Sequence, residues 1–273
     1  MGEHKMTKQN KKPVKPVVKP FLTGSPTDER TLKSALGVLG VLVIMVVMTF
    51  LVSSMLTMKN DVLRILLNIM VEVLVLFVLY SGAISKGAEA VARGEILYQR
   101  QEKGLTFAAS ERAICFHPLK GYITALIASI PILICGILLA ILAQKQTTGA
   151  GSLPGWLSAY QRRSDIGDPL VAYTAQTGMS LEDILRMIVR ISLMPFVSMV
   201  GAENRGAMLL LERLSPLLML LPVCAYGTGY LQGRKERVRI HTGIAENRRI
   251  RARREKKARK NRTVRPKTPE QLN

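Results

Sequence analysis

Cysteine, histidine and tryptophan are scarce in this chain of 273 residues, which contains three, three and one of them. Cys115, Cys135 and Cys224 are odd in number and show no Cys-x-x-Cys spacing, which argues against a disulfide framework or a zinc site. So few histidines and cysteines also leave little material for a haem or metal centre. We therefore expect no metal and no cofactor.

Signatures of the common enzyme classes are also missing. The patterns Gly-x-Ser-x-Gly, His-Glu-x-x-His, Walker A, Gly-x-Gly-x-x-Gly and Ser-x-x-Lys find no match in a suitable structural context. A Gly-x-Gly at 227–229 lies at the end of an apolar run, and no nucleotide-binding unit follows it. The sequence therefore predicts a protein without enzymatic activity.

Acidic residues are outnumbered, with 19 Asp and Glu against 39 Lys and Arg, so the net charge is +20. The mean hydropathy is nevertheless positive, at +0.19. Such a combination requires that apolar and charged residues occupy separate blocks, whereas a soluble domain of this length would interleave them. The composition therefore indicates a membrane protein.

Four apolar runs have about 20 residues each, the length that the hydrocarbon core of a bilayer requires. We therefore predict an all-α fold, a polytopic helical membrane protein with four transmembrane helices plus one amphipathic or re-entrant helix on the outer side. The predicted transmembrane domain is 31–232, and its spans are 35–58, 62–81, 122–142 and 206–231.

The two ends of the chain are basic. Residues 1–30 combine repeated prolines with lysines, which disfavours a packed core and predicts a disordered tail. Residues 233–273 form a second basic tail whose middle is expected to be helical. Because loops and tails rich in Lys and Arg stay on the cytoplasmic side of a membrane, we expect a protein of the plasma membrane with both termini in the cytoplasm. That arrangement needs an even number of crossings, and four satisfies it.

The segment 181–200 is the main ambiguity. Its apolar part has about 17 residues, the lower limit for a span. Glu182, Arg186 and Arg190 are spaced by four residues and form one charged stripe. The pattern favours an amphipathic helix that lies on the outer surface or re-enters the bilayer. A full crossing here, giving five spans, is the alternative.

A polar stripe runs along the second span. Asp61, Arg64, Asn68 and Glu72 follow at spacings of three and four, which places them on one helix face. Glu72 lies near the middle of the span, where a charge costs about 3 kcal/mol. About a dozen apolar residues each return roughly 0.3–0.6 kcal/mol, so insertion remains favourable. Glu72 is then either a structural residue within the bundle or a functional site.

Other charged residues are expected to converge with this stripe at the outer half of the bilayer. Unpaired charges there are costly, so we predict that Glu72 pairs with Arg213 or with Arg186. The predicted intramembrane polar cluster, which would hold the bundle together or bind a ligand, comprises Arg64, Asn68, Glu72, Arg186, Arg190, Glu212 and Arg213.

Two functional hypotheses follow from that cluster. In the first, the protein is a non-enzymatic structural or accessory subunit of a membrane complex, with a membrane protein partner or a second copy. In the second, it is a small transporter or sensor that binds an ion or an anionic headgroup. The basic tails are expected to contact anionic lipids, and contact of the C-terminal tail with RNA or the ribosome is a further alternative.

Overall fold

The protein is described by a computed structural model that covers residues 16–55, 60–143, 160, 163, 165, 181–201 and 204–263. The described residues form helices and loops and contain no strand, which confirms the all-α class. In chain order, the helices in this part of the protein are α1 (Thr31–Met55), α2 (Asp61–Glu102), α3 (Ala109–Ala113), α4 (Lys120–Leu142), α5 (Leu181–Ser192), α6 (Met194–Val200), α7 (Arg205–Leu218) and α8 (Leu221–Thr263).

Within the described ranges, four helical stretches are long and apolar enough to cross a membrane, namely α1, α2, α4 and the combined length of α7 and α8. This is the architecture of a multi-pass membrane protein. The fourth predicted span is two helices, because the chain turns at Met219 and Leu220. Pro222 lies two residues after Leu220, and because it has no N–H it cannot continue the hydrogen-bond ladder of α7.

Two of these helices are much longer than a span. α2 has 42 residues and α8 has 43, and both continue past the end at which α1 and α4 begin. We call this end, marked by Thr31 and Lys120, the basic end, and the end marked by Met55 and Leu142 the opposite end. The sequence predicts one long helix here that ends near Gly104, because residues 81–104 are rich in Ala, Glu, Arg and Gln, which favour helix. The structure confirms this prediction, since α2 ends at Glu102.

Glycines bring α2 and α8 into backbone contact. A Cβ atom on Gly87 would lie 2.2 Å from the Tyr230 carbonyl oxygen, and one on Gly229 would lie 2.4 Å from that of Tyr80. Gly233 is similarly close to the backbone nitrogen of Ala88. Gly229 and Gly233 form a Gly-x-x-x-Gly pair, which allows two helices to approach closely without a hydrophobic driving force between them.

Residues 16–30 differ from the disordered tail predicted for 1–30. The Leu22 N–H donates to the Gly94 carbonyl at 3.2 Å, and the Gly24 N–H donates to the Phe116 carbonyl at 3.0 Å. The Phe21 ring packs edge-on against Phe116, with centroids 6.1 Å apart. The apolar pair Phe21 and Leu22 thus supplies burial that the neighbouring lysines and prolines cannot. Residues 1–15 lie outside the described residues.

The predicted helix 181–200 is broken into α5 and α6 at Leu193, whose backbone (φ −109°, ψ 27°) leaves the helical region. Pro195 explains the break, because it is tolerated in the first turn of a helix but not in the interior. Leu185 of α5 packs near Leu139 and Ala143, at the opposite end of the bundle. Gly201, after α6, lies beside the Arg64 guanidinium, also near that end.

The turn between α5 and α6 lies at mid-depth in the bundle. Leu193 and Phe196 line the same small cavity as Leu42 and Ser129, which are near the midpoints of α1 and α4. The α5–α6 pair therefore enters from the opposite end, turns at mid-depth and returns to the end it came from. Of the two forms predicted for this segment, the geometry is the re-entrant one. Such irregular backbone at membrane depth is tolerated where protein surrounds it.

Candidate functional site

A buried ion-pair cluster joins α5 to α7 in the opposite half of the bundle. The Arg186 Nε donates to Glu212 Oε1 at 2.9 Å, and the Arg190 Nε and Nη2 donate to the same oxygen at 2.9 and 2.6 Å. The side chains of Glu212 and Arg186 are 3% and 6% exposed. Glu182 lies 2.6 Å from Arg186 and Asp183 lies 3.6 Å from it. The cluster is therefore an acid-rich network in which both arginines reach carboxylates.

Only one member of the adjacent pair Glu212 and Arg213 joins this cluster. Successive residues on a helix point about 100° apart, so they cannot both face the same neighbour. Glu212 is buried against α5, and Arg213 is exposed. The predicted polar cluster therefore contains Arg186, Arg190 and Glu212 as a contacting set, while Arg213 lies on the outside of α7.

The stripe on α2 is a second, separate polar group. Arg64 pairs with Asp61 at 2.9 Å, between Nη2 and Oδ1. Asn68 is fully buried, and its Nδ2 donates to the Arg64 carbonyl at 2.9 Å. The Asn68 Oδ1 and the Arg64 Nε have no hydrogen-bond partner among the described residues. Because these two buried polar atoms are unsatisfied, the stripe is a local polar site next to α6.

Glu72 stands apart from both groups. Its carboxylate has no hydrogen bond or ion pair within the described part of the chain, and it lines a cavity of about 70 Å³ between α1, α2, α4 and the α5–α6 turn. Thr49, Ser129 and Ser192 line the same cavity among apolar side chains. A space of this volume is large enough for a water molecule with polar partners.

The predicted pairing of Glu72 with Arg186 or Arg213 is therefore wrong. Arg186 is directed to Glu212 instead, and Arg213 is exposed. The physical reason is depth. Glu72 is level with the turn at Leu193, whereas Arg186 lies seven residues before that turn, about 10 Å along a helix. The spacing of charged residues along the sequence does not reveal this difference in depth between Glu72 and Arg186.

A third polar group, at the basic end, was not predicted from the sequence. Glu95 of α2 is 5% exposed and accepts two hydrogen bonds from Arg237 of α8, at 3.1 and 3.0 Å. The His241 Nε2 lies 2.8 and 3.0 Å from the two oxygens of the same carboxylate. This triad fastens the extensions of α2 and α8 outside the apolar region.

An ion pair also joins the residues just before α1 to the start of α4. Lys120 Nζ lies 2.7 Å from Asp28 Oδ2, and the Thr31 hydroxyl donates to Asp28 Oδ1 at 2.6 Å. Burial raises the pKa of Asp28, but the hydrogen bonds from Lys120 and Thr31 outweigh it, so the pKa lies below its usual 3.8. A carboxylate at this position is therefore ionised at neutral pH.

The sequence contains only a weak signal for the Glu95 triad and for the pair of Asp28 with Lys120. Glu95 with Arg237, and Asp28 with Lys120, are separated by 142 and 92 residues. All four of these residues are charged, and charged side chains are usually expected to be exposed. Only the crossing of α2 with α8, and the return of 16–30 onto the bundle, brings the partners together.

Within the described ranges, no group of three or more His, Cys, Asp or Glu side chains is arranged to hold a metal ion. Comparisons of the chain with protein-family models, with curated proteins and with solved structures find no match.

Proposed function

We propose that the chain is a non-enzymatic structural or accessory subunit of a membrane complex. The observation that carries the proposal is the pairing of Arg186 and Arg190 with Glu212. Charged side chains that bind a transported ion or headgroup must leave part of their binding capacity free, whereas these are directed at each other across two helices. Such pairing favours a role in holding the bundle together.

The C-terminal part of α8 supports contact with a partner. Between residues 246 and 263 the chain has ten Lys and Arg and two Glu, and residues 251–259 are all exposed. This stretch extends about 27 Å as a helix. An isolated helix of that length is marginal in water, so a binding partner with an acidic surface, or anionic lipid, would stabilise it.

The charge distribution supports an orientation in the plasma membrane with both termini in the cytoplasm. The basic extensions of α2 and α8 lie at the same end as the starts of α1 and α4, so most of the Lys and Arg residues are on one side. Single-cysteine variants made in a background without Cys115, Cys135 and Cys224 test this orientation. A cysteine at Glu111 should resist a membrane-impermeant maleimide in intact cells and react after lysis.

The subunit role is tested by cross-linking in native membranes, followed by purification of the full chain and of a chain that ends after Ala245. We expect one stoichiometric partner, or a second copy, that is cross-linked to the full chain and lost or weakened with the truncated one. A full chain that remains a monomer in native membranes, with no cross-linked partner, would contradict the proposal. Equal membrane levels of the two chains serve as the control.

The cavity beside Glu72 favours a second candidate, a transporter or sensor for protons or small cations. Proteoliposomes that contain a pH-sensitive dye test it, because an acid jump should produce proton entry above that of empty liposomes. Loss of this flux in Glu72→Gln, with unchanged elution from a sizing column, would replace the accessory role by a transport role. Flux equal to that of empty liposomes would leave Glu72 a structural residue.

A further inference from the structure

A groove at the basic end opens between α1 and α2. Its volume is about 850 Å³, within the range of ligand pockets. Gly37 and Gly82 form part of its walls, and the starting turn of α4 with Tyr226 and Tyr230 of α8 forms its floor. α1 is held to α4 at this end, because Asp28 pairs with Lys120 and Ala35 lies in one apolar cluster with Ala128.

The charges around the groove are predominantly positive. Among the residues that the structure describes, five cationic and two acidic side chains line it, for a net charge of +3. Asp28 is neutralised by Lys120 and Glu89 by Arg93. The remaining cations are Arg30, Lys33 and Lys86.

Two of these cations are available to a ligand. Arg30 and Lys33 are exposed, and within the described residues no carboxylate lies within ion-pair distance of either. They occupy the first turn of α1 and the residue before it, where the chain enters the apolar region. A negatively charged group in the groove would meet both side chains.

The groove is apolar on the side away from these charges. Val38, Val41 and Val78 line it there, and Val41 and Val78 are 42% and 39% exposed. This side continues onto the surface of α1 and α2 that faces lipid. A ligand that fits the whole groove therefore has a negative head and a hydrocarbon tail.

We infer that the groove binds one anionic phospholipid. Its phosphate contacts Arg30 and Lys33, and one acyl chain lies along the valines between α1 and α2. A free phosphate ion would satisfy the cations but leave the apolar wall without a ligand. The inference does not depend on the accessory-subunit role, because a lipid site is compatible with either proposed function.

The test measures lipid binding to the purified full chain in detergent by native mass spectrometry. Phosphatidylglycerol is the anionic probe, and phosphatidylcholine and inorganic phosphate are the comparison ligands. Removal of two cations in Arg30→Gln/Lys33→Gln should weaken the first phosphatidylglycerol about 30-fold, because each basic residue near a membrane surface contributes about a fivefold change in affinity. The matched control is Lys19→Gln/Lys103→Gln, which removes two exposed charges outside the groove and should change the affinity little.

A second variant tests the groove without changing charge. Leucine at Gly82 would project into the groove, yet no atom lies within 4 Å of an added Cβ, so the fold should tolerate it. Gly82→Leu should weaken phosphatidylglycerol several-fold, whereas Gly40→Leu, which also meets no atom but lies outside the groove, should not.

Two results would overturn the inference. Equal loss of affinity in the two double variants would mean that diffuse charge attracts the lipid and that no groove site exists. Complete displacement of phosphatidylglycerol by inorganic phosphate at millimolar concentration would mean a phosphate site that ignores the acyl chain.

Discussion

Replacement of Glu212 by glutamine is the sharpest test of the ion-pair cluster. The change keeps the shape of the side chain and removes the charge that Arg186 and Arg190 share. Breaking a buried ion pair costs about 3–5 kcal/mol. Here Arg186 retains Glu182 at 2.6 Å, and the amide oxygen still accepts one hydrogen bond. We therefore expect a loss of about 2 kcal/mol, or roughly a 30-fold shift in the unfolding equilibrium.

The measurement is unfolding of the purified chain by SDS in mixed micelles, followed by helical circular dichroism. Glu111→Gln is the matched control, because Glu111 and Arg100 form an ion pair in which both side chains are about half exposed, and such pairs contribute only about 0.5 kcal/mol. In an Arg190→Gln background, Glu212→Gln should lower the free energy of unfolding by less than it does in the parent chain. The difference, which is the coupling energy of the two residues, should be about 1 kcal/mol. Identical midpoints for Glu212→Gln and Glu111→Gln would refute a stabilising role for the cluster.

Three further outcomes are expected. Gly87→Leu should abolish folded, monodisperse protein because its Cβ meets an α8 carbonyl at 2.2 Å, whereas Gly40→Leu should elute like the parent chain; equal elution of both would contradict close α2–α8 packing. Glu95→Gln should make the C-terminal part of α8 exchange amide hydrogens about tenfold faster, since it loses charge-assisted bonds that contribute roughly 1.5 kcal/mol, and unchanged exchange would count against the triad. Because the folded pKa of Asp28 lies below its usual 3.8, its ion pair with Lys120 should stabilise the chain fully above about pH 5, and this stabilisation should be lost as the pH falls through the folded pKa. Asp28→Asn should remove this part of the acid dependence, and a pH curve for the variant that runs parallel to that of the parent chain would disprove it.

The long apolar helices could be predicted because each is encoded locally. A run such as 122–142 has the length and hydropathy of a span whatever it packs against, and α4 follows it closely. The continuation of α2 to Glu102 was also predictable, because Ala, Glu, Arg and Gln favour helix after the apolar run ends. Periodicity and propensity are properties of neighbouring residues, so they need no tertiary contacts.

Depth within the bundle was not predictable in the same way. From the sequence, Glu72, Arg186 and Glu212 were predicted to lie in one half of the bilayer. In the structure, the break before Pro195 places the α5–α6 turn level with Glu72, so Arg186 lies nearer the opposite end. The partner of Glu212 thus depends on how far a re-entrant segment descends. That distance is set by packing against α1, α4 and α7, which a spacing pattern does not encode.

By itself, the sequence determined that the chain is helical, where four stretches are apolar enough to cross a membrane, and that its positive charge is concentrated in the two tails. Those properties follow from hydropathy, length and charge along the chain. The tertiary structure alone decided which charges neutralise one another and which remain available. Arg186 meets Glu212, Arg237 meets Glu95, and Arg30 and Lys33 border an open groove, because helix crossings bring together residues that are far apart in the chain.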